Sequence, residues 1–173
     1  MFCDKVNIVM MKIIHASFMK KLLLITLISI AFISCREIDL FEKNIAVPNM
    51  QWFNNFDATG SFIIKDTNSN YNVLIVLRHT DAYLYNNIWL NIGLQAPGDP
   101  GLKYQKINLT LGNDAKGWEG VGMNDIWEVR KLISGVPKRF IKAGTYNFSI
   151  AQLMRDNPLQ NIISVGLSIQ KAK

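Results

Sequence analysis

The sequence predicts an all-β protein, an antiparallel β-sandwich of jelly-roll or immunoglobulin-like type, preceded by a helical lipoprotein signal peptide. Three observations carry that reading. Beyond Pro48, apolar residues recur at every second position in one short run after another, the period of a strand with one face covered. Clusters of Gly, Pro, Asn and Asp stand between the runs and supply turns. One run, residues 71–80, is apolar on both faces, as a central strand of a layered structure must be. Many short strands punctuated in this way pack as two antiparallel sheets.

In chain order, residues 35–48 are short, mixed in charge and weakly patterned. They read as a lipidated tether, with room for a first strand near Ile45 to Val47, and residues 49–173 form the sandwich domain. Phe62 and Ile64 then alternate with Ser61 and Lys65. In the doubly apolar run, Val73, Ile75 and Leu77 share one face and Leu74 and Val76 the other, with His79 following the first set toward the interior or its rim. Ile88, Leu90, Ile92 and Leu94 oppose Asn87, Trp89 and Asn91, and Ile107, Leu109 and Leu111 oppose Lys106, Asn108 and Thr110. Residues 123–133 tolerate either period, and a strand from Trp127 to Leu132 is the preferred reading. Tyr146, Phe148 and Ile150 alternate next, and Ile163, Val165, Leu167 and Ile169 close the chain. Between them, residues 151–156 contain good helix formers and are expected to make one helical turn before Pro158.

The targeting segment is the most explicit statement in the chain. Lys20 and Lys21 precede an apolar run over residues 22–33, and Ser34 stands directly before Cys35. Positive collar, about a dozen apolar residues and a small residue at the cleavage point make a secretory signal. A cysteine directly after that point makes it a lipoprotein signal, because the thiol accepts diacylglycerol and the freed amine an acyl chain. The run is too short for a membrane span, which needs roughly 20 residues, and it lacks the polar stripe of a buried helix. Secretion without lipidation remains the competing reading, since Phe32 stands where Leu is usual. Residues 1–34 are thus read as the signal, with 1–18 as an over-extended start, because Met19 begins a complete signal by itself. Apart from the acyl groups on Cys35, no cofactor is implied.

Removing those 34 residues takes away four of the 19 Lys/Arg and one of the 13 Asp/Glu, leaving 15 against 12 over 139 residues. That excess is scattered among Lys103, Lys106, Arg130, Lys131, Lys138, Arg139 and Lys142, without the dense stripe of a nucleic-acid binder. The inventory is equally poor for catalysis. The mature chain has one histidine, His79, read as a hydrogen-bonded structural residue, and one cysteine, itself acylated, so no nucleophile–base pair is nominated and the several His or Cys ligands of a zinc site are not supplied. Asp114, Glu119 and Asp125 match no calcium-loop spacing, and the glycines of residues 117–122 lack the Lys-Ser/Thr of a phosphate loop. A non-enzymatic protein with no metal and no small-molecule ligand is expected.

The densest unusual stretch is Arg78-His79-Thr80-Asp81-Ala82-Tyr83-Leu84-Tyr85-Asn86-Asn87-Ile88-Trp89. Two readings stand side by side. Aromatic and charged residues of this kind suit a partner surface, which would comprise Arg78, His79, Asp81, Tyr83, Tyr85, Trp89 and Trp118. Alternatively, an Arg78–Asp81 pair pins the loop while Tyr83 and Tyr85 cap the sandwich. A carbohydrate-binding role is a rival of another class, resting on exposed Trp89, Trp118 and tyrosines that would stack on sugar rings.

These residues also carry a family likeness. The lipobox at Cys35, Tyr71-Asn72-Val73 running into Arg78-His79-Thr80-Asp81-Ala82-Tyr83, Tyr85-Asn86-Asn87-Ile88-Trp89, Gly117-Trp118-Glu119-Gly120, Asp125-Ile126-Trp127-Glu128, Gly144-Thr145-Tyr146 and Val165-Gly166-Leu167 together resemble the GldH family of gliding-motility lipoproteins of Bacteroidetes. The resemblance covers nearly all of residues 35–173. It implies a non-enzymatic, outer-membrane-anchored envelope component that works through contacts with other proteins of a gliding apparatus linked to type IX secretion. It supplies no catalytic residue.

Overall fold

The computed structural model describes residues 40–172. The expected signal peptide over residues 1–34 and the expected lipidation site Cys35 lie outside the described residues. Among those described, the strands are β1 (Leu40–Ala46), β2 (Gln51–Trp52), β3 (Ala58–Ile64), β4 (Asn70–Thr80), β5 (Asn87–Gln95), β6 (Lys103–Thr110), β7 (Gly112–Asn113), β8 (Gly117–Trp118), β9 (Val121–Met123), β10 (Ile126–Leu132), β11 (Lys138–Arg139), β12 (Gly144–Gln152), β13 (Leu159–Gln160) and β14 (Ile162–Lys171). The larger sheet has the order β1-β14-β4-β10-β9, with β11 also on β4, and the smaller has the order β3-β12-β5-β6. All pairs are antiparallel, and the two sheets enclose one apolar core. The sandwich expected from the alternating runs is the fold observed.

Register shows why the alternation forces this packing. Leu77 faces Val165 on one side and Val129 on the other, and Ile75 faces Leu167, so a row of branched side chains crosses the larger sheet. Ile150, Ile92 and Leu90 do the same from the smaller sheet, and all are buried. Burying such a side chain contributes about 1.5–3 kcal/mol.

The outer face of β4 is covered differently from the sequence expectation. Val76 is buried, and among the described residues no third layer of strands or helices lies over it. Arg130 on β10 reaches across β4 and β14 to Glu42 on β1, and Arg78 pairs with Glu128 at 2.6 Å. Val76 is the cross-strand neighbour of Arg130, and the small residues Gly166 and Ser168 of β14 stand between it and Glu42, which leaves room for that long side chain to cross the sheet. Gly166 is required there: a Cβ would stand 1.9 Å from the backbone oxygen of Lys43.

Two local expectations are corrected. Residues assigned to the tether include β1, which pairs with β14 along its whole length from Leu40 opposite Gln170 to Ala46 opposite Ser164. Its pattern is weak because it is an edge strand, with exposed Glu42, Lys43 and Asn44 between the half-buried Phe41 and Ile45. The helical turn expected over residues 151–156 is absent. β12 continues through Gln152, whose buried amide accepts from the Met154 N–H (2.7 Å) and donates to the Asp156 carbonyl (3.2 Å). The side chain thus takes the backbone groups that a helix would have used.

Chain entry fixes a convenient orientation. The end where β1 begins also holds the turn before β4, the turn between β5 and β6, and the segment around β11. This proximal end is closed by rings: Phe62 stacks on Tyr146 at 5.4 Å, and Phe41 and Phe140 approach Phe62 at 5.6 Å. The opposite, distal end carries the loop after β4, the β9–β10 turn and the loop after β12.

Candidate functional site

The singled-out residues converge on the distal end, but the structure divides them into two groups. His79 and Tyr83 point inward and are 0% and 3% exposed. They are corrected from the proposed partner surface, because the strand register that places Leu77 in the core also places His79 there. The His79 ring packs 4.6 Å from Trp118 and 5.5 Å from Tyr83, centroid to centroid. Its Nδ1 lies 2.8 Å from the Thr80 carbonyl, while Nε2 and the Thr80 hydroxyl are enclosed with no partner among the described residues. Burial pushes the imidazole pKa below its ordinary 6.5, opposed by the backbone contact. Tyr83 donates its hydroxyl to the Asn87 carbonyl (3.1 Å), and burial drives its pKa well above the phenol range.

The remaining residues face solvent or line the rim. Arg78 is exposed and ion-paired with Glu128, not with Asp81. Glu128 sits opposite Arg78 on the neighbouring strand, so the cross-strand partner replaces the expected local one. Asp81 is exposed; its N–H donates to the Asp125 carbonyl (2.9 Å), tying the loop after β4 to the β9–β10 turn. Tyr85 is half-buried and donates to an Asp156 carboxylate oxygen (2.6 Å), which raises its pKa because the phenolate would face that carboxylate.

Trp89 stands 44% exposed on the outer face of the smaller sheet, and its backbone N–H donates to Met154 Sδ (3.3 Å). Trp118 is half-buried and leans on His79 and Tyr83. It borders a hollow of about 240 Å³ formed with Asn86, Gly112, Asn113, Asp114 and Gly117. The two tryptophans thus have different settings, Trp89 on an outer sheet face and Trp118 half-buried against His79 and Tyr83.

Three exposed apolar side chains belong to the same end and were not legible as site residues. Leu84 at the loop tip is 79% exposed, and Val121 and Met123 on the edge strand β9 are each 75% exposed. Nothing in their local pattern separates them from core positions, since each sits in a mixed polar–apolar stretch. Among the described residues, no three His, Cys, Asp or Glu side chains gather where a metal ion would fit. Glu119 is instead engaged by Lys131. The arrangement is a rim of aromatic, acidic and apolar groups over buried His79 and Tyr83, with half-buried Trp118 packed against them.

Comparison with known proteins gives the same family as the sequence motifs. The sequence model described as GldH lipoprotein matches residues 39–169. A gliding motility lipoprotein GldH homolog of Christiangramia forsetii is 27% identical over 153 residues, covering 83% of this chain and 90% of its own. The gliding motility lipoprotein GldH of Flavobacterium johnsoniae is 24% identical over 155 residues, covering 86% and 94%. Among solved structures, the infectious bursal disease virus VP2 subviral particle is matched over 78% of this chain at 13% identity. The chain spans about a third (34%) of that protein's length, and the TM-score of 0.23 carries no argument.

Proposed function

We propose that this chain, which belongs to the GldH lipoprotein family, serves surface gliding as a non-enzymatic component of the cell envelope. The observation that carries the proposal is the family match over residues 39–169, joined to the lipobox that ends at Cys35. In this reading residues 1–34 are removed, Cys35 receives diacylglycerol and an N-acyl chain, and the sandwich is held at the outer membrane. One acyl chain anchors only marginally at about 0.8 kcal/mol per buried methylene, and several anchor stably. Confinement to a membrane raises the effective concentration of any partner there, so weak contacts suffice. The distal rim, with Arg78, Asp81, Tyr85, Trp89 and Trp118, is the proposed contact surface for other proteins of the gliding and type IX secretion apparatus.

The test is replacement of the native gene by the Cys35→Ala form, scoring spreading on agar and fractionating the envelope. The expected result is loss of spreading, with the protein either unprocessed or released from the membrane fraction. Full spreading with normal processing and retention contradicts the proposal.

A further inference from the structure

The two ends of the sandwich sort by charge. At the proximal end, residues 65–69, 96–103 and 133–143 and the end of β14 carry Lys65, Lys103, Lys138, Arg139, Lys142 and Lys171 against Asp66 and Asp99 alone. At the distal end, residues 53–57, 81–86, 114–116, 124–125 and 153–158 carry Asp57, Asp81, Asp114, Asp125 and Asp156 against Lys116 and Arg155. The proximal acids hold their neighbours without cancelling them. Asp99 accepts from both Lys142 (2.6 Å) and Lys103 (2.9 Å), and Asp66 accepts from Lys171 (2.8 Å). Between the cations, Val136 and Ile141 project into solvent, 67% and 82% exposed.

Covalent connectivity brings this same end to the lipid. β1 begins at Leu40 beside Gln170, and only Arg36, Glu37, Ile38 and Asp39 separate it from Cys35. Five residue steps span at most about 18 Å. With an acylated Cys35 at the headgroup level, the start of β1 at the basic end is held within that distance of the bilayer surface.

We propose that the proximal end is a second membrane contact, in which its lysines and Arg139 engage the anionic headgroups of the leaflet holding the anchor and Ile141 and Val136 dip among them. The inference rests on the lipidation reading of Cys35. Attraction of basic side chains to anionic lipid decays within a Debye length of about 8 Å at physiological salt. The short tether keeps the cations near that range, where a longer one would let the domain drift away. A lipid chain and a basic patch acting together are the two-signal arrangement that fixes a peripheral protein. The acidic distal end is then turned away from the membrane. The 11 residues of β4 lift it roughly 35 Å, at about 3.3 Å per residue. That places the proposed partner surface where envelope proteins can reach it.

The mature protein purified from membranes is reconstituted into phosphatidylcholine vesicles with or without phosphatidylglycerol. Amide hydrogen exchange is followed together with the intact mass. Phosphatidylglycerol is expected to slow exchange over residues 133–143 and 65–69 and to leave residues 81–86 and 124–125 unchanged. The combined variant Lys138→Glu, Ile141→Glu and Lys142→Glu is expected to lose that protection while keeping its acyl mass and its distal exchange pattern. An acylated protein whose proximal end exchanges alike in both vesicles, or whose distal end is the one protected, overturns this inference alone. An intact mass without acyl groups overturns the lipidation reading and the orientation with it.

Discussion

Both ends of the sandwich are closed by aromatic side chains, yet they are built on opposite principles. The proximal plug of Phe62, Tyr71, Phe140 and Tyr146 is apolar, and its hydroxyls are satisfied: Tyr71 donates to the Asp66 carbonyl (2.8 Å) and Tyr146 to that of Lys142 (2.9 Å). The distal plug of His79, Tyr83 and Trp118 encloses a titratable ring with one unmatched nitrogen and supports loops tipped with exposed Leu84 and Met123. One end is packed for permanence. The other keeps a buried imidazole nitrogen with no hydrogen-bond partner among the described residues, a feature that reduces stability.

Several measurements would sharpen or break that contrast. The largest effect is expected from Phe62→Ala, which removes the ring touching Phe41, Phe140 and Tyr146. It should cost about 3–5 kcal/mol in urea unfolding. Trp118→Ala, at the half-exposed distal position, should cost only about 2 kcal/mol. Equal losses would remove the asymmetry.

A pH series isolates the histidine. Its folded pKa lies below 6.5 because of burial, so the unfolded chain takes up a proton first as pH falls. The stability is therefore fully present above pH 6.5 and is lost as pH drops from there toward the folded pKa. His79→Leu should flatten unfolding midpoints between pH 7 and 5, and an unchanged slope would mean that another group is responsible. The acids of the proximal end predict no loss in this window, because Lys171 holds Asp66, and Lys142 and Lys103 hold Asp99, below the ordinary carboxylate range.

Smaller still, Tyr146→Phe and Tyr83→Phe each delete one hydroxyl bonded to a carbonyl and should cost about 1 kcal/mol apiece. Arg78→Ala breaks an exposed pair with Glu128 and should cost less than about 1 kcal/mol. A larger loss would point to the cover over the outer face of β4.

The strands were readable because burial on one face imposes a period of two, which a linear sequence displays directly. Even the doubtful run near Trp127 settles as strand β10 (Ile126–Leu132). What was not readable depends on which turns share an end. Lys65, Lys103, Lys138 and Lys142 are dispersed along the chain, and only the sheet order gathers them. The partner of Arg78 lies fifty residues away on the adjacent strand, so a local search finds Asp81 instead of Glu128. Only the end of β1 is legible as a strand, near Ile45 to Val47, because Lys43 interrupts the inward set of Phe41 and Ile45. The motif over residues 78–89 gathers at one end of the sandwich, but residue type alone does not divide buried His79 and Tyr83 from exposed Asp81 and Trp89.

The most direct test of the account is site-specific photo-crosslinking of the acylated protein in living cells, with a photoreactive residue at Ile141 or at Trp89. The account predicts a lipid adduct from position 141 and a protein adduct from position 89, the former disappearing in the Cys35→Ala background. Protein captured at position 141 with lipid at position 89 would contradict it.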